Sequence, residues 1–314
     1  MAGEFLGAVP WTVMDGWAWI VILLLVTAAA VETRSDGLAR QVAAGGWLAF
    51  AGFWLPMVPH FYFYEASVIK AVLSLVAVPA CAYGAYLLWT GRDLLLLSRA
   101  IAFMGVIYLP FITIDAAHAA LVEVVARHVD FSLALLGHHP ELVYTDQGLS
   151  TGEVRNALLF EGTAEHAPGG PYRINVILAC TGIGAISIFG GLVSAVDAPL
   201  HRKLATLAVI VPIIWALNLV RVGFIALAHG YQWFHDVAPN LVMVLFATDN
   251  PARVSFLISD KILAQSLSVL ALVGLTFLAV RLLPQLVEPL EDALLLLTGD
   301  EVDLGEAMGV DDRL

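Results

Sequence analysis

The sequence predicts an all-α polytopic membrane protein with about seven transmembrane helices, or eight if one shorter segment also crosses, and an extracytoplasmic cap. Of its 314 residues, 60% are hydrophobic and only 13% are charged. The mean hydropathy of +0.85 is far from that of a soluble domain. Apolar runs of about 20 residues, the length that crosses a bilayer, recur along the chain. Because a backbone in lipid must satisfy its own hydrogen bonds, we expect these runs to be helices.

The predicted helices belong to a single domain, 1–314, because no internal repeat and no linker divides the chain. The first is expected to be a retained helix rather than a secretory signal, since Glu4 and Asp15 stand where a signal would carry basic residues. The seven predicted spans are 16–31, 41–58, 67–89, 94–114, 172–196, 204–228 and 254–283.

Basic residues in the short connections predict the orientation of the chain. By the positive-inside rule, the connections that carry them face the cytoplasm, and these residues are Arg34, Arg40, Arg92, Arg99, Arg202 and Lys203. This orientation puts the N-terminus outside and the acidic tail, 284–314, inside. The longest outer connection, 115–171, begins with an amphipathic stretch and then becomes polar and rich in glycine, which indicates a cap over the helices.

The connection 229–253 decides between seven and eight spans. It holds about eleven mostly apolar residues between Pro239 and Asn250, which are too few to cross a bilayer. We therefore expect it to lie flat or to re-enter the membrane. If it crossed after all, an eighth helix would move the C-terminus outside.

Charge and cysteine content exclude several classes of function. A net charge of −12, from 27 acidic and 15 basic side chains, argues against nucleic acid as a partner. Acid-rich, lysine-poor surfaces suit high salt, so we expect a halophilic archaeal source. Two cysteines cannot build a disulfide framework, and Cys81 is interpreted as a packing residue. No metal or cofactor is expected, because the histidines lack ligand spacing and no dinucleotide-binding glycine motif occurs.

Two polar residues reach similar depths in neighbouring predicted helices. Cys180 and Arg221 each lie eight residues from the outer end of their helix, about 12 Å deep at 1.5 Å per residue. An arginine in a membrane helix costs at least about 2.5 kcal/mol, so Arg221 needs a partner or a function. One interpretation is structural, in which Arg221 forms a hydrogen-bond hub with Asn218, one turn away, and with carbonyls of neighbouring helices. A functional use is also open, since a nearby cation lowers the pKa of a thiol and favours the nucleophilic thiolate.

Other groups near the same outer layer could complete a cysteine active site. Arg253 lies at the outer end of the last predicted helix, where it could assist the thiolate or donate hydrogen bonds to an oxyanion. His235, next to Asp236, is a candidate general base. Gly184 lies one turn below Cys180 and would leave space beside the sulfur.

Four short motifs resemble the exosortase and archaeosortase family of membrane transpeptidases. They are ACTGIGA with Cys180, NLVRV with Arg221, FHDVAPN with His235 and NPARVSF with Arg253, all between about residues 172 and 265. The resemblance implies that Cys180 is the nucleophile and Arg221 an essential arginine. For the third residue, bacterial members have a histidine where archaeal ones use an arginine. This chain offers both, and we favour Arg253 over His235.

The resemblance also implies the substrates and the reaction. Members of the family act on secreted, membrane-anchored proteins, such as surface-layer glycoproteins, whose C-terminus carries a short motif, a hydrophobic helix and a basic end. The archaeosortases recognise a Pro-Gly-Phe motif there. The expected reaction removes the helix through a Cys180 thioester and attaches the new C-terminus to an archaeal phospholipid, on the extracytoplasmic side of the cell membrane.

Two other functions stay open at this point. An intramembrane cysteine protease would resolve the acyl-enzyme with water, so that no lipid would be attached. An anion transporter would use Arg221 to bind its cargo, but it would also need polar groups along the whole path, and the inner halves of the predicted helices offer few. Serine and zinc peptidases are disfavoured, because neither Gly-x-Ser-x-Gly nor His-Glu-x-x-His occurs.

Overall fold

The computed structural model of the protein describes residues 11–64, 68–161 and 171–305. Helices dominate these residues, as predicted, and a small sheet interrupts them. The longer helices are α1 (Trp11–Glu32), α2 (Asp36–Pro59), α3 (Val68–Trp89), α4 (Leu95–Thr113), α5 (Asp115–Leu135), α6 (Ile183–Ala195), α7 (Leu200–Gly230), α10 (Gln265–Leu282) and α11 (Val287–Thr298). Shorter elements include the helices α8 (Pro239–Leu245) and α9 (Val254–Phe256) and the strands β1 (Glu141–Thr145), β2 (Val154–Phe160) and β3 (Tyr172–Asn175). Short 3₁₀ and π-helical segments lie between some of them.

Six helical segments in the described part of the chain are long and apolar enough to cross a membrane, which confirms the multi-pass class. They are Val13–Glu32, Asp36–Phe63, Lys70–Trp89, Leu95–Thr113, Leu200–Gly230 and Pro251–Leu282. The predicted number of seven or eight is not confirmed. Two apolar segments are too short for a span of about 20 residues, since α6 has 13 residues and α8, in the connection 229–253, has seven.

The structure differs from the predicted span 172–196 in its first half. Strand β3 pairs with β2, a 3₁₀ turn follows at Leu178–Cys180, and α6 begins only at Ile183. The backbone of β3 therefore bonds to a neighbouring strand instead of within a helix. A short apolar run is compatible with either state, so its hydrophobicity alone did not decide between them. The helix cannot extend back unbroken to Cys180, because Gly182 has a left-handed backbone with φ of 76°.

The described residues form two compact units, of which the first comprises those of 1–109, 187–207 and 279–314. Its core gathers buried side chains of α1, α2 and α3, and the indole Nε1 of Trp47 donates a hydrogen bond of 2.8 Å to Oγ of Ser98. At Gly191 of α6, an added Cβ would lie 2.6 Å from the carbonyl oxygen of Ala100 in α4. Such close backbone approach at small residues is typical of membrane helix packing. The single-domain organisation stays a prediction.

The second unit comprises the described residues of 110–186 and 208–278. Here α5 packs on an antiparallel sheet with the order β1-β2-β3, and its face of Val125, Val129 and Leu133 is fully buried against Leu158 of β2. The predicted cap thus contains the amphipathic helix that was expected and also a sheet that was not. Residues 162–170 of the predicted cap and 306–314 of the predicted acidic tail lie outside the described residues.

Candidate active site

Cys180 lies in a tight junction between a strand and a helix in the second unit. Strand β3 ends at Asn175, Cys180 closes the 3₁₀ turn, and α6 begins three residues later. The backbone N–H of Cys180 donates to the carbonyl of Ile177 at 2.8 Å, and the hydroxyl of Thr181 donates to the carbonyl of Leu178 at 2.7 Å. The thiol is therefore on a short, hydrogen-bonded turn. The depth of about 12 Å, which assumed a continuous helix from residue 172, does not apply.

A buried polar network fixes the chain that leads into this turn. The side chain of Asn156 in β2 donates from Nδ2 to the carbonyl of Val176 at 2.7 Å, and it accepts from the hydroxyl of Thr145 in β1 at 2.6 Å. The N–H of Val176 donates in return to the carbonyl of Asn156 at 2.8 Å. Asn156 has no exposed surface, and buried, fully paired polar groups hold a single arrangement. The sheet thus anchors the segment four residues before Cys180.

Asn218 of α7 holds the turn from the other side. Its Nδ2 donates a hydrogen bond of 2.6 Å to the carbonyl oxygen of Cys180. Gly182 is required for this contact, because an added Cβ would lie 3.3 Å from Cβ of Asn218 and the residue has a positive φ. The structural interpretation of the sequence included carbonyls of neighbouring segments, and the carbonyl of Cys180 is the one that Nδ2 of Asn218 binds.

Arg221, one turn beyond Asn218 on α7, binds an acid that the sequence analysis missed. Its Nη2 donates to Oδ1 of Asp260 at 2.9 Å, and Oδ2 of Asp260 lies 3.0 Å from Nζ of Lys261. Both partners belong to a π-helical segment, Leu257–Ala264, inside the span Pro251–Leu282. Asp260 and Lys261 could have been singled out in the sequence, because placing charged side chains in an apolar span costs free energy, as it does for Arg221.

Burial and charge act on the Cys180 thiol in opposite directions. Burial raises the pKa of Cys180 above its ordinary value, and this is the largest effect. A hydrogen bond from the backbone of Ile177 and the positive charge of Arg221 lower the pKa, while the carboxylate of Asp260 raises it. The effect of burial on the pKa of Cys180 is thus larger than that of the Arg221 charge.

Arg253 and His235 make no hydrogen bond or ion pair with Cys180 in the part of the chain that the structure describes. Arg253 is exposed on the 3₁₀ turn Pro251–Arg253, and its guanidinium forms neither a hydrogen bond nor an ion pair with the described residues. His235 lies in the turn after α7, with a buried Nδ1 that has no partner among these residues. Asp236 is exposed and does not bond to His235.

A glutamine that the sequence analysis missed ties the segments of His235 and Arg253 together. Nε2 of Gln232 donates to the carbonyls of His229 at 2.7 Å and Ala252 at 3.2 Å. Gln232 is 5% exposed and has a φ of 53°, a strained backbone for a residue with a side chain. No pattern in the sequence singles it out.

The first turn of α6 carries a small residue, and the described residues hold no cluster of metal ligands. At Gly184 an added Cβ would meet nothing within 4 Å, whereas the predicted position one turn below Cys180 does not apply, because the helix begins only at Ile183. No group of three or more histidine, cysteine or acidic side chains that could hold a metal ion occurs among the described residues. The site is thus one thiol with an amide, a guanidinium and a carboxylate.

The chain is similar to a family of membrane proteins and to two archaeal relatives. A family model described as transmembrane exosortase matches residues 11–248. Archaeosortase A of Haloferax volcanii is 43% identical over 313 residues, which cover 96% of this chain and 100% of that protein. Archaeosortase A of Natronomonas pharaonis is 42% identical over 302 residues, 95% of this chain and 93% of that protein. No solved structure gives a significant match. The family match includes Cys180, Arg221 and His235, and it ends before Arg253.

Proposed function

This chain belongs to the transmembrane exosortase family, and from that premise we propose that it is a membrane enzyme that processes the C-terminal sorting signals of secreted proteins. Cys180 is the proposed nucleophile and Arg221 the cation that assists it. The observation that carries the proposal is the rigid turn that presents Cys180, bonded through Asn218 to the helix that bears Arg221. A thiol on a fixed turn near a cation is what nucleophilic catalysis by cysteine needs.

The reaction has two steps. In the first, the Cys180 thiol loses its proton, a bond forms between Sγ and the carbonyl carbon of the scissile peptide, and the carbonyl oxygen becomes an oxyanion that Arg221 stabilises. The carbon–nitrogen bond then breaks, and the leaving amine takes up the proton that the thiol lost and departs with the C-terminal helix. In the second step, a nucleophile of an archaeal phospholipid attacks the thioester carbon, the carbon–sulfur bond breaks, and the proton of the nucleophile passes to Sγ, which restores the thiol.

The third member of the site is proposed to be Arg253, with His235 as the alternative. Arg253 has free donors, because its guanidinium is exposed and bonds to no described residue, so it could bind the oxyanion or the substrate. His235 instead would accept the thiol proton as a general base. The side chain of Gln232 bonds to Ala252, next to Arg253, and so joins the two candidate segments.

Three features of the substrate and of the site complete the proposal. The substrates are secreted, membrane-anchored proteins with a Pro-Gly-Phe motif, a hydrophobic helix and a basic end, surface-layer glycoproteins among them. The active site faces the extracytoplasmic side of the cell membrane. A substrate held by its own membrane helix reaches the site without a diffusional search in three dimensions, which lowers the entropic cost of the reaction.

Anion transport is disfavoured by the pairing of Arg221. The carboxylate of Asp260 already compensates the charge that would have to bind an anion. Hydrolysis of the thioester by water remains the alternative to lipid transfer, and the chemistry of the product distinguishes the two.

The decisive experiment follows the C-terminus of a substrate by mass spectrometry. The enzyme, or its Cys180→Ala variant, is co-expressed with a secreted protein that ends in the motif, helix and basic end described above. We expect a shortened, lipid-linked C-terminus with the wild type and an uncleaved precursor with Cys180→Ala. The matched control is Cys81→Ala, which should process normally. Processing by Cys180→Ala would overturn the proposal, and a free carboxylate from the wild type would replace lipid transfer by hydrolysis.

The same assay identifies the third residue. Arg253→Ala should abolish processing, because it removes donors that neighbouring residues cannot replace, whereas His235→Ala should retain measurable activity. The opposite result would assign the role to His235 as a base. Thermal unfolding of both variants controls for loss of the fold.

A further inference from the structure

Asp260 lies between two cations in the π-helical segment Leu257–Ala264. Its Oδ1 accepts a hydrogen bond of 2.9 Å from Nη2 of Arg221, and its Oδ2 lies 3.0 Å from Nζ of Lys261. The Asp260 side chain is 13% exposed, whereas those of Arg221 and Lys261 are 30% and 49% exposed. The carboxylate is thus the least exposed member of a cluster of two cations and one anion.

All three charges of this cluster act on the Cys180 thiol. Of the three charges, Arg221 changes the pKa of Cys180 most and lowers it. Asp260 follows and raises the pKa, and Lys261 lowers it least. Because Asp260 is an anion, its own charge works against formation of the thiolate. If Asp260 acted only through its charge, it would oppose the proposed reaction. A contribution of Asp260 to the reaction must therefore come from its bond to Arg221.

Arg221 keeps donor capacity although it is bound to Asp260. The bond to Asp260 uses Nη2, while Nε is buried and has no partner among the described residues. A buried donor without a partner is destabilising, and this cost is recovered when an acceptor arrives. A carbonyl oxygen that becomes an oxyanion is such an acceptor.

We infer that Asp260 is a positioning residue that holds one edge of the Arg221 guanidinium and so keeps its remaining donors available to the group that reacts at Cys180. This inference rests on the proposed function. Lys261 binds the second carboxylate oxygen and thereby fixes the plane of the carboxylate. The π-helical turn is consistent with this role, because such turns occur frequently at functional sites.

Two substitutions of Asp260 separate positioning from charge. Asp260→Asn keeps an oxygen that accepts from Arg221 but removes the negative charge, and Asp260→Leu removes both. We expect Asp260→Asn to sort substrate within about fivefold of the wild type, since the hydrogen bond from Arg221 is retained in neutral form. We expect Asp260→Leu to lose about a hundredfold, because a misplacement of about 1 Å can have that effect. The control is Asp249→Leu at an exposed acid of the same unit, which should sort like the wild type.

A second readout requires no substrate. Alkylation of Cys180 by iodoacetamide is followed in a Cys81→Ala background, with and without Arg221→Met. If Asp260 acts through Arg221, Asp260→Leu slows alkylation when Arg221 is present, because the guanidinium of Arg221 is no longer held in place and favours the Cys180 thiolate less. In the Arg221→Met background, Asp260→Leu does not slow alkylation, because it removes only a negative charge that disfavours the Cys180 thiolate. Equal slowing in both backgrounds, or normal sorting by Asp260→Leu, would overturn the inference.

The two readouts also separate this inference from the proposed function. If Cys180→Ala processes substrate normally, the proposed function fails, whatever the alkylation rates are. If Cys180→Ala is inactive but the alkylation pattern is the same in both backgrounds, only the role of Asp260 fails.

Discussion

Cys81 and Cys180 have the same side chain but opposite surroundings. Cys81 lies within helix α3, is 4% exposed, and packs in an apolar core with side chains such as Trp47. Cys180 lies half-buried on a turn between β3 and α6, where Asn218 binds its carbonyl and the charge of Arg221 reaches its thiol. The difference shows that backbone placement and charged neighbours, and not the residue type, set a candidate nucleophile apart from a packing residue.

The largest expected contrast is in the alkylation of the two thiols. In the folded protein, iodoacetamide should modify Cys180 on the order of a hundredfold faster than Cys81, because buried structural cysteines are inert. Burial raises the pKa of Cys180, so its rate should still be rising with pH at 9.0, the ordinary value for a thiol. Peptide mass spectrometry between about pH 6 and 10 measures both rates. Equal labelling of the two residues, or a plateau in the Cys180 rate well below that pH, would contradict the comparison.

A smaller contrast is expected from a glycine that follows each cysteine. Gly182→Ala forces a side chain into a left-handed backbone and against Asn218, 3.3 Å away, so the turn must move. We expect sorting to fall about tenfold or more, since small displacements of a catalytic group are costly. Gly84→Ala adds a Cβ at 3.2 Å from the Trp47 indole and should cost about 1 kcal/mol of stability with normal sorting.

Sorting assays and thermal unfolding, measured together, check the two glycine variants. Loss of sorting in Gly84→Ala at a temperature where the variant is folded would show that the two cysteines are not as distinct as we conclude.

The smallest effect concerns the unit that contains Cys81. In α11, burial, followed by the charge of Glu288, raises the pKa of Asp292 from 3.8 to about 6. The folded state thus binds the proton more tightly than the unfolded state, and this stabilisation is present at low pH and lost as the pH rises from 3.8 to about 6. Asp292→Asn, which stays neutral, should be more stable than the wild type at pH 7 by about 1 kcal/mol after solvent screening is discounted.

Thermal unfolding at about pH 4 and 7 tests this difference, which should shrink toward the lower pH. Alkylation of Cys180 should not change in Asp292→Asn. A variant that is equally or less stable than the wild type at pH 7 would disprove the effect of burial on this carboxyl.

The sequence predicted the membrane class and most of the spans, because hydrophobicity over about 20 residues is a local property. It did not predict the sheet, whose strands are short and pair across the chain, as Leu142 does with Leu158. The same limitation explains the segment 172–196, in which the residues of β3 were taken for the start of a helix. Partner strands, and not the residues of β3 alone, decide between the two states.

For the site, the sequence singled out Cys180 and Arg221 by chemical type and by resemblance, and their roles stay proposals. It also named Asn218 as a supporting residue, but the bond from Asn218 to the carbonyl of Cys180 became visible only in the structure. Asp260 could have been found by the cost of a charge in an apolar span, which had already drawn attention to Arg221. Gln232 could not, because a single polar residue in a loop carries no signal of its own.

The sequence by itself determined that this chain enters a membrane and that it resembles the exosortases, with a cysteine and an arginine in the motifs that carry the resemblance. Only the tertiary structure decided which groups meet. The bond from Asn218 to Cys180 joins residues 38 positions apart, and that from Arg221 to Asp260 joins residues 39 apart. The physical reason is that hydrophobicity is summed along the chain, whereas hydrogen bonds and ion pairs form between groups that only the packing of the second unit brings together.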